Sequence, residues 1–225
     1  YKALYANSDT GYNNTAVGYL SLTSNTTGDS NTAIGRESLE ANTTGEDNTG
    51  VGYGALTDNT TGNRNTAVGL NCLANNTTAD NNTAIGRNCM NANSTGSNNT
   101  AMGVFALDAN TTADNNTAIG YNAATALTTG GYNVALGDSA LIDSTTGVNN
   151  VAIGYQTLNN STDKFANVAI GYRACKNNNS NYGVFIGDRA ASNGIVSGQK
   201  NVAVGHYSCY ELTTGAYNTA VGANA

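Results

Sequence analysis

The chain has 225 residues, of which 38 Asn, 31 Thr and 27 Gly supply more than two-fifths, with no Pro, no Trp and a formal net charge of -6. No run of 18 apolar residues is available to span a bilayer as a helix, and an acidic chain without a basic stripe is unsuited to holding phosphate backbones. Neither end resembles a signal peptide and there is no initiator Met, so we expect a segment cut from a longer fibre.

Bare composition resembles a polar chain that need not fold, but order along the chain overrides it. The string Asn-(Thr/Val)-Ala-(Val/Ile)-Gly recurs with its last Gly at 18, 35, 52, 69, 86, 103, 120, 137, 154, 171, 187, 205 and 222. Nine successive intervals are 17 residues and the last three are 16, 18 and 17. The consensus unit is N-T-A-V-G-x-x-A-L-x-x-N-T-T-G-x-x, and it occupies residues 1–225 as a single repeat domain, with Tyr1–Gly11 as a worn half-unit. Seventeen residues cannot hold a helix pair, and the apolar spacing is not helical. Short strands broken by Asn, Thr and Gly turns fit instead. The predicted fold is an all-β, parallel β-solenoid (β-roll) of about 13 coils with a 17-residue repeat, one unit per coil.

Within the unit, position one is Asn (Asn14, Asn31, Asn48), which predicts a stacked amide ladder along the coils. Positions two to four form the strand. Position four is always apolar (Val17, Ile34, Met102, Leu136), position two is Thr early and Val from Val134, and alternation puts both on one face. We expect that face to be the interior, joined by Leu at position nine (Leu22, Leu39, Leu56). The other face would then expose a stripe of Ala16, Ala33, Ala67, Ala84, Ala101, Ala118, Ala135, Ala152 and Ala169 with the anchor glycines. Such a stripe predicts close approach by another chain and hence a homotrimer. Position six is repeatedly Tyr (Tyr19, Tyr53, Tyr121, Tyr155, Tyr172), a surface row of candidate glycan contacts. The N-T-T-G turn (Asn25–Gly28, Asn42–Gly45) predicts a second ladder.

The stretches N-T-A-V-G-Y at Asn14–Tyr19 and N-V-A-I-G-Y at Asn150–Tyr155 resemble the N-S-V-A-I-G repeats of trimeric autotransporter adhesin heads. The whole unit, as at Asn31–Gly45, is similar to repeat arrays of bacteriophage tail fibres. The resemblance covers essentially the whole chain and implies a left-handed, homotrimeric parallel β-roll that carries or forms an attachment tip. The unit is longer than that of the adhesin heads, and no coiled-coil stalk or membrane anchor is present in the sequence, which favours a phage or other surface fibre.

No catalytic motif, nucleotide-binding fingerprint or calcium-repeat pattern occurs, so no enzyme, cofactor or metal is expected. The single His206 falls in the surface row, and Asp29, Glu46, Asp80 and Asp114 share a turn slot that could form a weak cation site. Cys72 and Cys89 share one slot, Cys175 and Cys209 another; small buried thiols are expected rather than disulfides. Sequons at Asn25, Asn42, Asn59 and Asn110 are read as by-products of the turn. The function expected is a structural and adhesive fibre segment, on a virion tail fibre or an extracellular surface. Its partners are itself and cell-surface polysaccharide, without nucleic acid or membrane insertion. Irregular later units, with an insertion at Ser192–Lys200, are the place for specialised contact. The second reading is ice binding through the Thr rank Thr26, Thr43, Thr60, Thr77 and Thr111.

Overall fold

A computed structural model describes residues 2–6 and 11–225, so part of the opening half-unit (residues 1 and 7–10) lies outside the described residues. The chain divides into two compact units, Tyr1–Asp114 and Asn115–Ala225. In the first, β1 (Thr15–Val17), β2 (Thr32–Ile34), β3 (Thr49–Val51), β4 (Thr66–Val68), β5 (Thr83–Ile85) and β6 (Thr100–Met102) form a parallel sheet in sequence order. In the second, the same holds for β7 (Thr117–Ile119), β8 (Val134–Leu136), β9 (Val151–Ile153), β10 (Val168–Ile170), β11 (Val184–Ile186), β12 (Val202–Val204) and β13 (Thr219–Val221). Each unit is a parallel β-solenoid with one three-residue strand per coil, and no helix occurs among the described residues. Register is kept slot for slot. Even the coils of 16 and 18 residues preserve it, pairing Val168 with Val184 and Val184 with Val202.

So short a coil must turn sharply, and it does so with left-handed residues at positions seven, nine and seventeen. In the coil of β2 these are Glu37 (φ 60°), Leu39 (φ 51°) and Asp47 (φ 56°). A Leu in that region is strained, but neighbouring coils clamp it. Leu39 N–H donates to Ala55 O at 3.0 Å, while Glu37 and Asp47 donate backward to Tyr19 O and Asp29 O. The anchor Gly at position five has another reason. At Gly86 φ is +139°, a region open essentially to Gly alone, and a Cβ there would overlap the carbonyl of Gly103.

The sheet faces the opposite way from the sequence expectation. Ala33, Ala67, Ala84, Ala101, Ala118, Ala135, Ala152 and Ala169 are fully buried, and Ala16, in the first described strand, is half-buried. The predicted outward Ala stripe is therefore core. The slots at positions two and four, expected inside, are all half-buried or exposed: Ile34 is 41% and Met102 44% accessible. The cause is space. Behind this slot in the coils of β2 to β6 stand Leu or Met at position nine, a small residue at position eight (Ser38, Ala55, Cys72) and Asn at positions one and twelve, all buried. That cross-section leaves room for one methyl group, and β-branched side chains go outside. Each buried Leu contributes about 1.5–3 kcal/mol.

Two exceptions obey the same limit. Phe185 replaces the Ala, and Gly183 replaces the position-one Asn in the same coil; a Cβ on Gly183 would run into the Phe185 ring, which is buried. In the coil of β7, Ala124 stands at position nine and Leu127 at position twelve, so the large side chain has moved across the interior.

Replacing Gly86 by Ala should therefore destabilise the fold by about 3 kcal/mol or more, since strain and overlap add. Gly62→Ala should cost less than Gly86→Ala, because a Cβ there also meets the Ala79 carbonyl and Asn59 Oδ1 but no positive φ is required, and Ala79 and Ala113 occupy the same slot in later coils. Chemical denaturation of the two variants checks the contrast.

Candidate functional site

Polar groups inside each solenoid are organised before any surface chemistry is possible. Asn42, Asn59, Asn76, Asn93 and Asn110 at position twelve each donate Nδ2 to the Oδ1 of the preceding Asn, at 2.6–3.0 Å, and to a carbonyl of their own turn. Position-one Asn form a second ladder. Asn48 donates both its N–H and its Nδ2 to Asn31 Oδ1, and donates Nδ2 also to Gly62 O. In Asn115–Ala225 the position-one ladder runs through Asn116, Asn133, Asn150 and Asn167, and Gly183 N–H closes it on Asn167 Oδ1. Apart from the Oδ1 of Asn110, which has no partner, these ladder amides are spent on one another and on their turns rather than offered to a ligand.

Asn25, Asn42, Asn59 and Asn110 are fully buried, so the N-T-T turns of the folded coils present no amide for glycosylation. The shared acidic turn slot is likewise internal chemistry. Asp29, Asp80 and Asp114 each accept the N–H of the slot one coil earlier, from Tyr12, Asn63 and Ser97 at 2.6 Å. No group of three His, Cys, Asp or Glu able to hold a metal occurs among the described residues. The Thr rank of the ice reading also turns into the ladder: Thr43 and Thr60 donate Oγ1 to the carbonyls of Thr60 and Thr77 at 3.0 Å.

Two surface features remain. The first is the outward sheet face. In Tyr1–Asp114 it carries a Thr rank (Thr15, Thr32, Thr49, Thr66, Thr83, Thr100) beside an apolar rank (Val17, Ile34, Val51, Val68, Ile85, Met102). In Asn115–Ala225 both ranks are apolar from β8 to β12, and neither unit places a charged residue on the face. Mostly β-branched, with Met102 and Leu136 as the departures, and in register at one rung per coil, it is an extended uncharged patch of the kind single chains seldom leave in water.

The second is the row after the anchor Gly. Tyr19, Tyr53, Tyr121, Tyr155 and Tyr172 are all exposed, as expected. The structure adds arginines to them. Arg36 lies over both Tyr19 and Tyr53, its guanidinium 5.5 and 5.6 Å from the ring centres. In the other unit Tyr155 and Tyr172 stack at 5.4 Å, with Arg173 over both and Arg189 spanning Tyr172 and Tyr207. Tyr121 is exposed, without a ring or guanidinium contact to match these. His206 sits in this row at 3.4 Å from Asp188 Oδ2 and edge-on to Tyr207, with no nucleophile beside it.

All four cysteines are free, Cys72, Cys89 and Cys175 being buried and Cys209 half-buried. A hydrogen bond with Cys72, together with burial, pushes the Cys89 thiol far above the ordinary range, and burial pushes Cys175 and Cys209 up as well. No family model, curated protein or solved structure matches this chain. No described helix is long and apolar enough to cross a membrane.

The thiols give a pH prediction. The folded-state pKa values of Cys89, Cys175 and Cys209 are raised, so the stability these three contribute is complete below the unfolded thiol value of about 8.5 and declines as pH rises through and beyond it. Cys89→Ala, which matches Ala106 in the same slot, should flatten that alkaline decline in a denaturation series. In the native protein, a thiol-reactive dye should label Cys209 first and the other three only on unfolding.

Proposed function

We propose that this chain is a structural and adhesive fibre segment that assembles with copies of itself through the outward sheet face and mediates attachment to a host cell surface. The observation that carries the reading is that face: long within each unit, uncharged, mostly β-branched and repeated once per coil. A second copy is the occupant that fits it, because only another solenoid of the same rung spacing, about 4.8 Å, can meet such a surface rung for rung. Three copies around one axis follow the resemblance to adhesin heads and tail-fibre arrays. Burying both ranks supplies the hydrophobic energy that the narrow coil interior lacks. The exposed Tyr and Arg row lies outside this face, where stacked rings and guanidinium groups can meet sugar rings. A virion tail fibre or an extracellular surface is the setting such a segment serves.

Ile85→Arg or Ile153→Arg should leave the circular dichroism of the fold intact and convert the assembly to monomers in light scattering, because both side chains point out of the coil. Ala84→Arg should prevent folding, because it forces a cation into the core. A stable monomer of the unaltered chain would overturn self-assembly, and absence of binding to host cells or their isolated polysaccharide would overturn attachment.

A further inference from the structure

The coil-to-coil ladder fails at one corner of Asn115–Ala225. At position thirteen, Thr128 N–H donates to Thr145 O and Thr145 N–H to Thr162 O, both at 2.8 Å. The next step, from Thr162 to Asn179, is not made. Neither the N–H nor the Oγ1 of Thr162, nor the carbonyl of Asn179, has a hydrogen-bond partner among the described residues. The 16-residue coil explains the break. Having lost one residue, it is laced forward, with Val196 N–H donating to Asn177 O and Asn179 N–H to Val196 O, and the strand-like bridge Asn178–Val196 fixes its path. A cleft of about 580 Å³ opens between the two coils at this point, lined by Asn160, Thr162, Asp163, Lys164, Asn177, Asn178, Asn179 and Ile195.

We infer that this cleft binds a sugar residue of an uncharged polysaccharide through the rung groups that the solenoid leaves unpaired. Three features select that chemistry. The groups unpaired at that step are one carbonyl acceptor, one amide N–H donor and a hydroxyl that does both, which is what adjacent sugar hydroxyls need. Ile195, 64% accessible, offers an apolar surface to the C–H face of a pyranose. The two charges of the cleft are spent on each other, Lys164 Nζ lying 2.6 Å from Asp163 Oδ1, and the unit as a whole has five Lys/Arg against five Asp/Glu. An anionic sugar has no free cation to meet here. The volume falls in the range of small-ligand sites. An extended peptide would need a run of open rungs along one coil, whereas the unpaired N–H groups of Thr162 and Asn177 lie on different coils.

The inference rests on the attachment reading only for the polymer that supplies the sugar. The test is amide and methyl NMR of the intact chain titrated with methyl glycosides of neutral hexoses and N-acetylhexosamines, and separately with a blocked extended peptide. Saturating shifts at Thr162, Asn177, Asn179 and Ile195 are expected with a glycoside. Thr162→Val, which removes the hydroxyl, should weaken binding about tenfold, the loss of one hydrogen bond with its desolvation, with an unchanged denaturation midpoint. Tyr172→Ala should leave it unaltered. Shifts confined to the Tyr row, saturation by the peptide alone, or no shift with any glycoside would overturn the inference. Host-cell binding measured in parallel separates the two readings. Cells bound by a chain whose cleft is silent overturn the cleft alone, and a responsive cleft on a chain that binds no cells supports the cleft while attachment fails.

Discussion

Within each unit, successive coils hydrogen-bond to one another through the same backbone atoms, and the rest of the unit follows from that ladder. Because slot meets slot, a conformation adopted once must be adopted in every coil. This is how Leu39, Leu56 and Leu73 come to hold positive φ, which costs each of them energy in isolation. The strain is repaid by an N–H clamped to the next coil, as from Leu56 to Cys72 O at 3.0 Å. The anchor Gly is the extreme case. Its φ near +130–140° and the carbonyl of the next anchor directly against its Cα admit no side chain at all.

The ladder also makes the interior narrow, and narrowness decides its chemistry. One Leu, one Ala and one small residue per coil bury little apolar area, and two Asn share the same space. Buried amides are tolerable only when each donor and acceptor is used, and stacking identical amides one rung apart uses them. The ladder thereby specifies register as well as contributing stability, since a slip by one residue would turn the Asn outward and bring Thr or Val in. In two coils where an amide is replaced by a group of very different size, a neighbour in the same coil changes with it: Phe185 with Gly183, and Leu127 with Ala124. Ser144, one coil beyond Leu127, shows the cost, its buried Oγ having no partner.

The period of 17, the single short strand per coil, the Asn ladders and the Leu rank were all legible in the sequence, because each is a property of recurrence. The orientation of the strand was not, since alternation says which residues share a face but not which face is inside. The better signal was variability. Position four accepts Val, Ile, Leu and Met, while position three keeps Ala almost throughout, and only an enclosed slot one methyl deep restricts a residue so tightly. The acidic turn slot and the Thr rank were misleading for a related reason. A repeated polar residue in a solenoid more readily serves the neighbouring coil than a ligand, as Asp80 does for Asn63 and Thr60 does for the Thr77 carbonyl. Cation stacking over the Tyr row needed coordinates, because Arg173 and Arg189 come from the slot beside it.

Uniformity and irregularity therefore support different kinds of recognition. A face meant for another copy gains from sameness, since each additional coil adds an identical increment of buried β-branched surface and any charge would be repeated against its own kind. A site for a small ligand is not readily built from sameness, because a regular coil pairs its position-thirteen N–H and carbonyl with the coils beside it, as Thr43 does with Thr60 and Thr26 with Thr43. It requires a rung that is missing. One residue lost between Gly171 and Gly187 and one gained before Gly205 leave the strands in register and concentrate the mismatch at a corner, where Thr162 faces Asn179 without bonding it. The same departure from period that looks like wear in the sequence is thus the cheapest way for this fold to make a cleft without disturbing the face by which its copies meet.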